Sequence, residues 1–114
     1  MSVRLTTRKV GDVTVVDAAG RITLGEASSS FRDTIRELVS KGEKKVLLNL
    51  GEVSYIDSSG IGELVSAYTT VTNQGGQLKL LNLTKRIQDL LQITKLYTVF
   101  EVFDDEAAAI RSFG

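Results

Sequence analysis

The stretch Val46-Leu47-Leu48-Asn49-Leu50, followed by Val53-Ser54-Tyr55-Ile56 and then Asp57-Ser58-Ser59-Gly60-Ile61-Gly62, decides the fold. Its first five residues are nearly all apolar rather than alternating. That pattern belongs to a strand covered on both faces, as parallel strands are. Beyond Asp57, residues Ile61, Leu64, Val65, Tyr68 and Val71 recur at helical spacing, and Asn73-Gln74-Gly75-Gly76 ends the run. A buried strand leading through a short loop into an amphipathic helix is half of a βαβ unit.

Toward the amino terminus, Val3, Leu5 and Val10 lead to Gly11-Asp12, after which Val13, Val15 and Val16 resume a β-branched run. Two strands about a glycine-containing turn predict a hairpin. The segment Gly20 to Glu26 is expected to open a helix, because Thr23 followed three residues later by Glu26 matches a capping box. Ala27, Phe31, Ile35, Leu38 and Val39 then mark an apolar face of about four turns, with Gly42 at the terminating position.

Toward the carboxyl terminus, Leu78, Leu80, Leu81 and Leu83 predict a strand, Ile87, Leu90 and Leu91 a short helix, and Val99 to Phe103 a last strand. Asp104-Asp105-Glu106 then place three acids in the first turn of a final helix, where the helix dipole favours them. Consecutive helical residues point in different directions, so these acids do not read as a metal cluster. The expectation is an α/β fold: one domain over residues 1–114, a mixed sheet with an amino-terminal hairpin, and about four helices.

Composition narrows the chemistry. The 114 residues suffice for one hydrophobic core, and 42% hydrophobic with 25% charged residues is ordinary globular usage. Without histidine the chain lacks a Ser-His-Asp triad and an imidazole base, and without cysteine it lacks a thiol nucleophile, a disulfide and a zinc cluster. The balance of 14 basic and 14 acidic residues gives no footprint for nucleic acid. No apolar run approaches the roughly 18 residues of a membrane span, and the opening MSVRLTTRKV lacks a signal-peptide core. The reading is a cytoplasmic, non-enzymatic chain with no cofactor and no metal, whose partner is a protein.

In an α/β domain, function gathers outside the carboxyl ends of the strands. Here that place holds Asp57-Ser58-Ser59-Gly60-Ile61-Gly62. Two readings stand side by side. Free amides and a helix start favour an anion there; alternatively Ser58 or Ser59 caps the helix, with the glycines allowing tight entry and close packing. Three enzyme motifs fail on spacing. Ile56 stands where G-x-S-x-G needs its first glycine, Gly60-Ile61-Gly62 lacks the third glycine of a dinucleotide fingerprint, and no P-loop occurs.

The strand, the Asp-Ser-Ser-Gly-Ile-Gly run, the hairpin, Gly20, Gly75-Gly76 and a short terminal helix together resemble the STAS domain of bacterial anti-sigma factor antagonists over essentially the whole chain. The resemblance implies a switch rather than an enzyme. Ser58 matches the serine that a partner anti-sigma factor, itself a serine kinase, phosphorylates. Unphosphorylated, such a protein sequesters the anti-sigma factor and a sigma factor is released; a metal-dependent serine phosphatase resets the phosphorylated form. Asp57 would either keep that surface acidic or serve as a structural acid accepting loop amides. Ser59 would cap the helix or donate to the phosphate, and Gly60, Ile61 and Gly62 would shape the partner-binding loop. Many members carry an acid in a Gly-x-Leu-Asp pattern, where this chain has Gly20-Arg21-Ile22-Thr23, so Arg21 and Thr23 present a different charge to the partner. The alternative is a STAS scaffold subunit of a larger signalling or transport assembly, in which Ser58 is only a cap.

Overall fold

The computed structural model describes residues 3–113. Strands β1 (Val3–Val10) and β2 (Val13–Ile22) form the antiparallel hairpin, with Val10 opposite Val13. Strand β3 (Lys45–Ile56) lies parallel to β2, β4 (Gln77–Leu81) parallel to β3, and β5 (Val102–Phe103) parallel to β4. The sheet is therefore mixed, in the order β1-β2-β3-β4-β5. Helices α1 (Glu26–Ser40), α2 (Ser58–Asn73) and α3 (Lys85–Ile93) join the parallel strands, and α4 (Glu106–Ser112) follows β5. The predicted α/β class, hairpin and four helices are all present.

Strand order never reverses, and crossover connections share one hand. The three crossover helices therefore fall on one face of the sheet. Phe31 and Ile35 of α1, Leu64 and Val71 of α2, and Ile87 and Leu91 of α3 close over Val46, Leu48 and Leu50. The opposite face has only α4, whose Ala109, with the following Phe113, packs on Val13, Val15, Leu47 and Leu81. The unbroken apolar run of β3 thus serves two cores at once. Its one polar member, Asn49, belongs to the α4 face, where it donates to Asp17 Oδ1 at 2.8 Å and accepts from Asn82 at 3.2 Å. Buried Lys79 secures α4 by donating to the Ser112 carbonyl at 3.0 Å and to its hydroxyl at 2.9 Å.

Three expectations change. The Thr23–Glu26 capping box is absent: α1 begins at Glu26 with Gly25 as N-cap at φ 106°, no side chain caps it, and Thr23 instead accepts a hydrogen bond at its carbonyl from the Ser28 hydroxyl. The reason is that β2 continues to Ile22, paired with Ile56, so the chain leaves the sheet only at Thr23 and makes its turn on a glycine. The last strand is only Val102–Phe103, because Leu96–Thr98 form a 3₁₀ turn and Phe100 turns inward, edge-on to Tyr68 at 5.5 Å. Finally, only Glu106 of the three acids lies in α4. Asp105 is its N-cap, accepting from the Ala108 amide at 2.9 Å, and Asp104 precedes it.

Candidate functional site

At the carboxyl ends of β2 and β3 the sheet releases two chains side by side, Thr23-Leu24-Gly25 into α1 and Asp57 into α2. One carboxylate ties them. Asp57 is the N-cap of α2; its Oδ1 accepts from the Gly60 amide at 3.0 Å and its Oδ2 from the Leu24 amide at 3.3 Å. Ser54 supports the same junction, its hydroxyl donating to the Gly20 carbonyl at 3.2 Å.

The cap is therefore Asp57 and neither serine, which corrects the expectation that Ser58 or Ser59 accepts the orphan amides. An aspartate and a serine cap about equally well, but only the aspartate has a second oxygen to spend on Leu24. Ser58, the first residue of α2, is left exposed, and Ser59 beside it is half-buried. None of the described residues hydrogen-bonds the Ser58 hydroxyl, and no histidine exists to activate it.

The two glycines differ. A Cβ at Gly60 would stand 2.4 Å from Ile56 Cγ1 and 2.5 Å from the Ile22 carbonyl oxygen, so the first turn of α2 seats on the strand ends only because no side chain is there. At Gly62 the same atom would meet nothing within 4 Å. Close packing thus requires Gly60, while Gly62 faces solvent. Ile61 lies in the core, 3% exposed.

Arg21 and Thr23 lie at the end of β2 and just past it, Arg21 exposed and Thr23 half-buried. The Arg21 guanidinium sits over the Tyr55 ring at 5.0 Å, and Arg86 of α3 sits over the same ring at 4.2 Å while its Nε donates to the Ile56 carbonyl at 3.0 Å. Leu24, 79% exposed, adds the most exposed large apolar side chain among the described residues. Tyr55, Arg86 and Leu24 have no signal in the sequence as site residues; they meet through tertiary structure alone. This end of the sheet thus carries the exposed Ser58, the apolar Leu24, two arginines over Tyr55, and an Asp57 carboxylate committed to backbone amides.

This α/β layout defines a small domain that presents a helix start at one sheet end, and comparison with known proteins places it. A model of the STAS domain family matches residues 4–109. The chain belongs to the STAS domain family. It is 36% identical over 87 residues to the anti-sigma-B factor antagonist of Bacillus subtilis, covering 76% of this chain and 78% of that one. Its fold is like that of an anti-sigma factor antagonist from Mycobacterium paratuberculosis, with a TM-score of 0.84 at 16% identity over 98% of this chain and 94% of the other. It is also like the Bacillus cell fate determinant SpoIIAA in its phosphorylated form, with a TM-score of 0.76 at 21% identity over 96% of this chain and 98% of the other.

Proposed function

We propose that this chain is an anti-sigma factor antagonist switched by phosphorylation of Ser58. Unphosphorylated, it binds an anti-sigma factor that is a serine kinase, and a sigma factor is released. Phosphorylated, it lets that partner go, and a serine phosphatase resets it. The observation that carries this reading is the exposed Ser58 hydroxyl on the first turn of α2, relieved of capping duty by Asp57. Similarity to a curated anti-sigma-B factor antagonist supports the partner class, and the fold shared with phosphorylated SpoIIAA supports the modification.

The physics of the position suits the role. A phosphoryl group brings about −1.5 to −2 charges at neutral pH, and at a helix N-terminus the backbone dipole favours them. The added charge then changes the interface without unfolding the domain. Exposed Leu24 beside it supplies an apolar anchor for the partner.

The test is incubation with candidate anti-sigma kinases and ATP, followed by location of the phosphate by mass spectrometry. Phosphate on Ser58 is the expected result. Modification at Ser59, Ser54 or Thr69 overturns the site, and no phosphate from any kinase encoded nearby favours the scaffold reading.

A further inference from the structure

Arg21 and Arg86 come from different elements, the end of β2 and the first turn of α3, yet both guanidinium groups lie over one ring, that of Tyr55. Arg21 is the register partner of Tyr55 across the parallel β2–β3 pair. A second anchor holds Arg86, whose Nε is spent on the Ile56 carbonyl. Arg86 therefore keeps its two terminal nitrogens, and Arg21 its whole donor fork, for something else.

Among the described residues no carboxylate neutralises them: the ion pairs of arginine are Arg8 with Asp17 and Glu106, and Arg32 with Glu63. The nearby acid, Asp57, gives its oxygens to the Gly60 and Leu24 amides. Two guanidinium groups on one ring repel each other, and each gains only about 0.5–1 kcal/mol from an exposed aromatic face. An anion held by their idle donors relieves that repulsion. The Ile56 carbonyl that holds Arg86 lies two residues before Ser58, so Arg86 is anchored at the strand end from which α2 starts.

We infer that Arg21 and Arg86 form an intramolecular receptor for a phosphoryl group carried by Ser58. The ligand is a phosphomonoester dianion, the group whose oxygens a guanidinium fork matches. The inference rests on the reading of Ser58 as the phosphoacceptor and gives that switch a second component. Phosphorylation adds negative charge and also removes the cationic patch beside Leu24, so a partner that meets two free arginines on the unmodified protein meets a neutralised surface afterward.

The experiment uses the full chain with phosphoserine installed at position 58 during translation, so no kinase is needed. The second ionisation of the phosphate, about 6 when unperturbed, is followed by ³¹P NMR titration in the otherwise unaltered protein and in the R21Q/R86Q variant. A midpoint lower by about half a unit or more with the arginines present is expected, since nearby opposite charge favours the dianion. The gap should shrink as salt screens the exposed groups. Equal midpoints overturn the receptor. Guanidinium ¹H–¹⁵N signals provide a readout that needs no variant: those of Arg21 and Arg86 should move when a phosphatase removes the group, while those of exposed Arg36 on α1 stay put, and unmoved Arg21 and Arg86 signals also overturn it. Kinase labelling of Ser58 together with equal midpoints removes the receptor alone; a lowered midpoint with no kinase able to label Ser58 removes only the phosphoacceptor reading.

Discussion

Asp57 reaches back to Leu24 across the end of the sheet, accepting its amide at 3.3 Å with one oxygen while the other caps Gly60 at 3.0 Å. One side chain thus holds the start of α2 and the approach to α1 in a fixed relation. Replacing it with alanine should cost about 0.5–2 kcal/mol, and asparagine, whose one oxygen can cap Gly60 but whose amide nitrogen cannot accept from Leu24, should recover only the capping part of the loss. Urea denaturation of the two variants checks this. An alanine variant as stable as the parent would show that the carboxylate does not hold the junction.

The two loop glycines should separate. Gly60→Ala forces a methyl group against Ile56 and the Ile22 carbonyl, and overpacking of this kind costs about 1–3 kcal/mol. Gly62→Ala meets open space inside a helix, where alanine is favoured over glycine by about 0.5–1 kcal/mol, so this variant should be more stable than the parent. Thermal melts of both decide it. If Gly62→Ala melts higher yet binds the partner less well, the residue is a contact rather than a structural requirement.

Leu64 is fully buried between α2 and the sheet. Leu64→Ala should therefore lose about 2–5 kcal/mol through transfer and cavity terms. A loss below about 0.5 kcal/mol, the scale of a surface change, would mean the α2 face is not packed as described.

Acid should weaken one particular tie. Arg8 on β1 donates to Asp17 on β2 and to Glu106 on α4, and these hydrogen bonds, as the largest cause, hold both carboxyls below their ordinary values of 3.8 and 4.5. Groups with depressed folded pKa stabilise the protein above their unfolded values, and the contribution fades as pH falls through the folded ones. The stability difference between the parent and Arg8→Met should accordingly be constant from about pH 6 to 8 and shrink below about pH 4.5. Exposed pairs of this type contribute at most about 1 kcal/mol each. Denaturant midpoints measured across that range test the sign; a gap that widens in acid contradicts it.

At Ser58 the fold and the switch should come apart cleanly. Because Asp57 is the cap, Ser58→Ala should change stability by less than about 0.5 kcal/mol and leave binding to the anti-sigma partner intact. Ser58→Asp brings about one negative charge to the interface and should weaken binding at least tenfold, about 1.4 kcal/mol. Titration calorimetry beside thermal melts reads both quantities. Equal affinities of the two variants would sink the charge switch, and a binding loss matched by a collapsed melt would assign Ser58 to the fold.

Much of this was written in local pattern. The unbroken run Val46 to Leu50 marks a strand with two covered faces, and the structure uses Val46, Leu48 and Leu50 on one face and Leu47 on the other. Apolar spacing of about 3.6 identifies α1, α2 and α3, because a helix buried on one side cannot hide its period. The serine at the head of α2 follows from the same reading, since the strand–helix boundary is local. What needed the tertiary structure were choices among groups with equal local claims. Thr23, Ser58, Ser59 and Asp57 are all competent caps; pairing of Ile22 with Ile56 carries β2 right up to Thr23, so the turn into α1 falls on Gly25, and the amide of Leu24, brought in from a distant turn, selects Asp57. Gly60 and Gly62 look alike until Ile56 and the Ile22 carbonyl close on one of them. Arg21, Tyr55 and Arg86 become one cluster only because parallel pairing and the docking of α3 bring distant segments of chain to the same ring. Periodicity records which side of an element is buried, whereas the identity of the neighbour across the gap is set by how the elements pack.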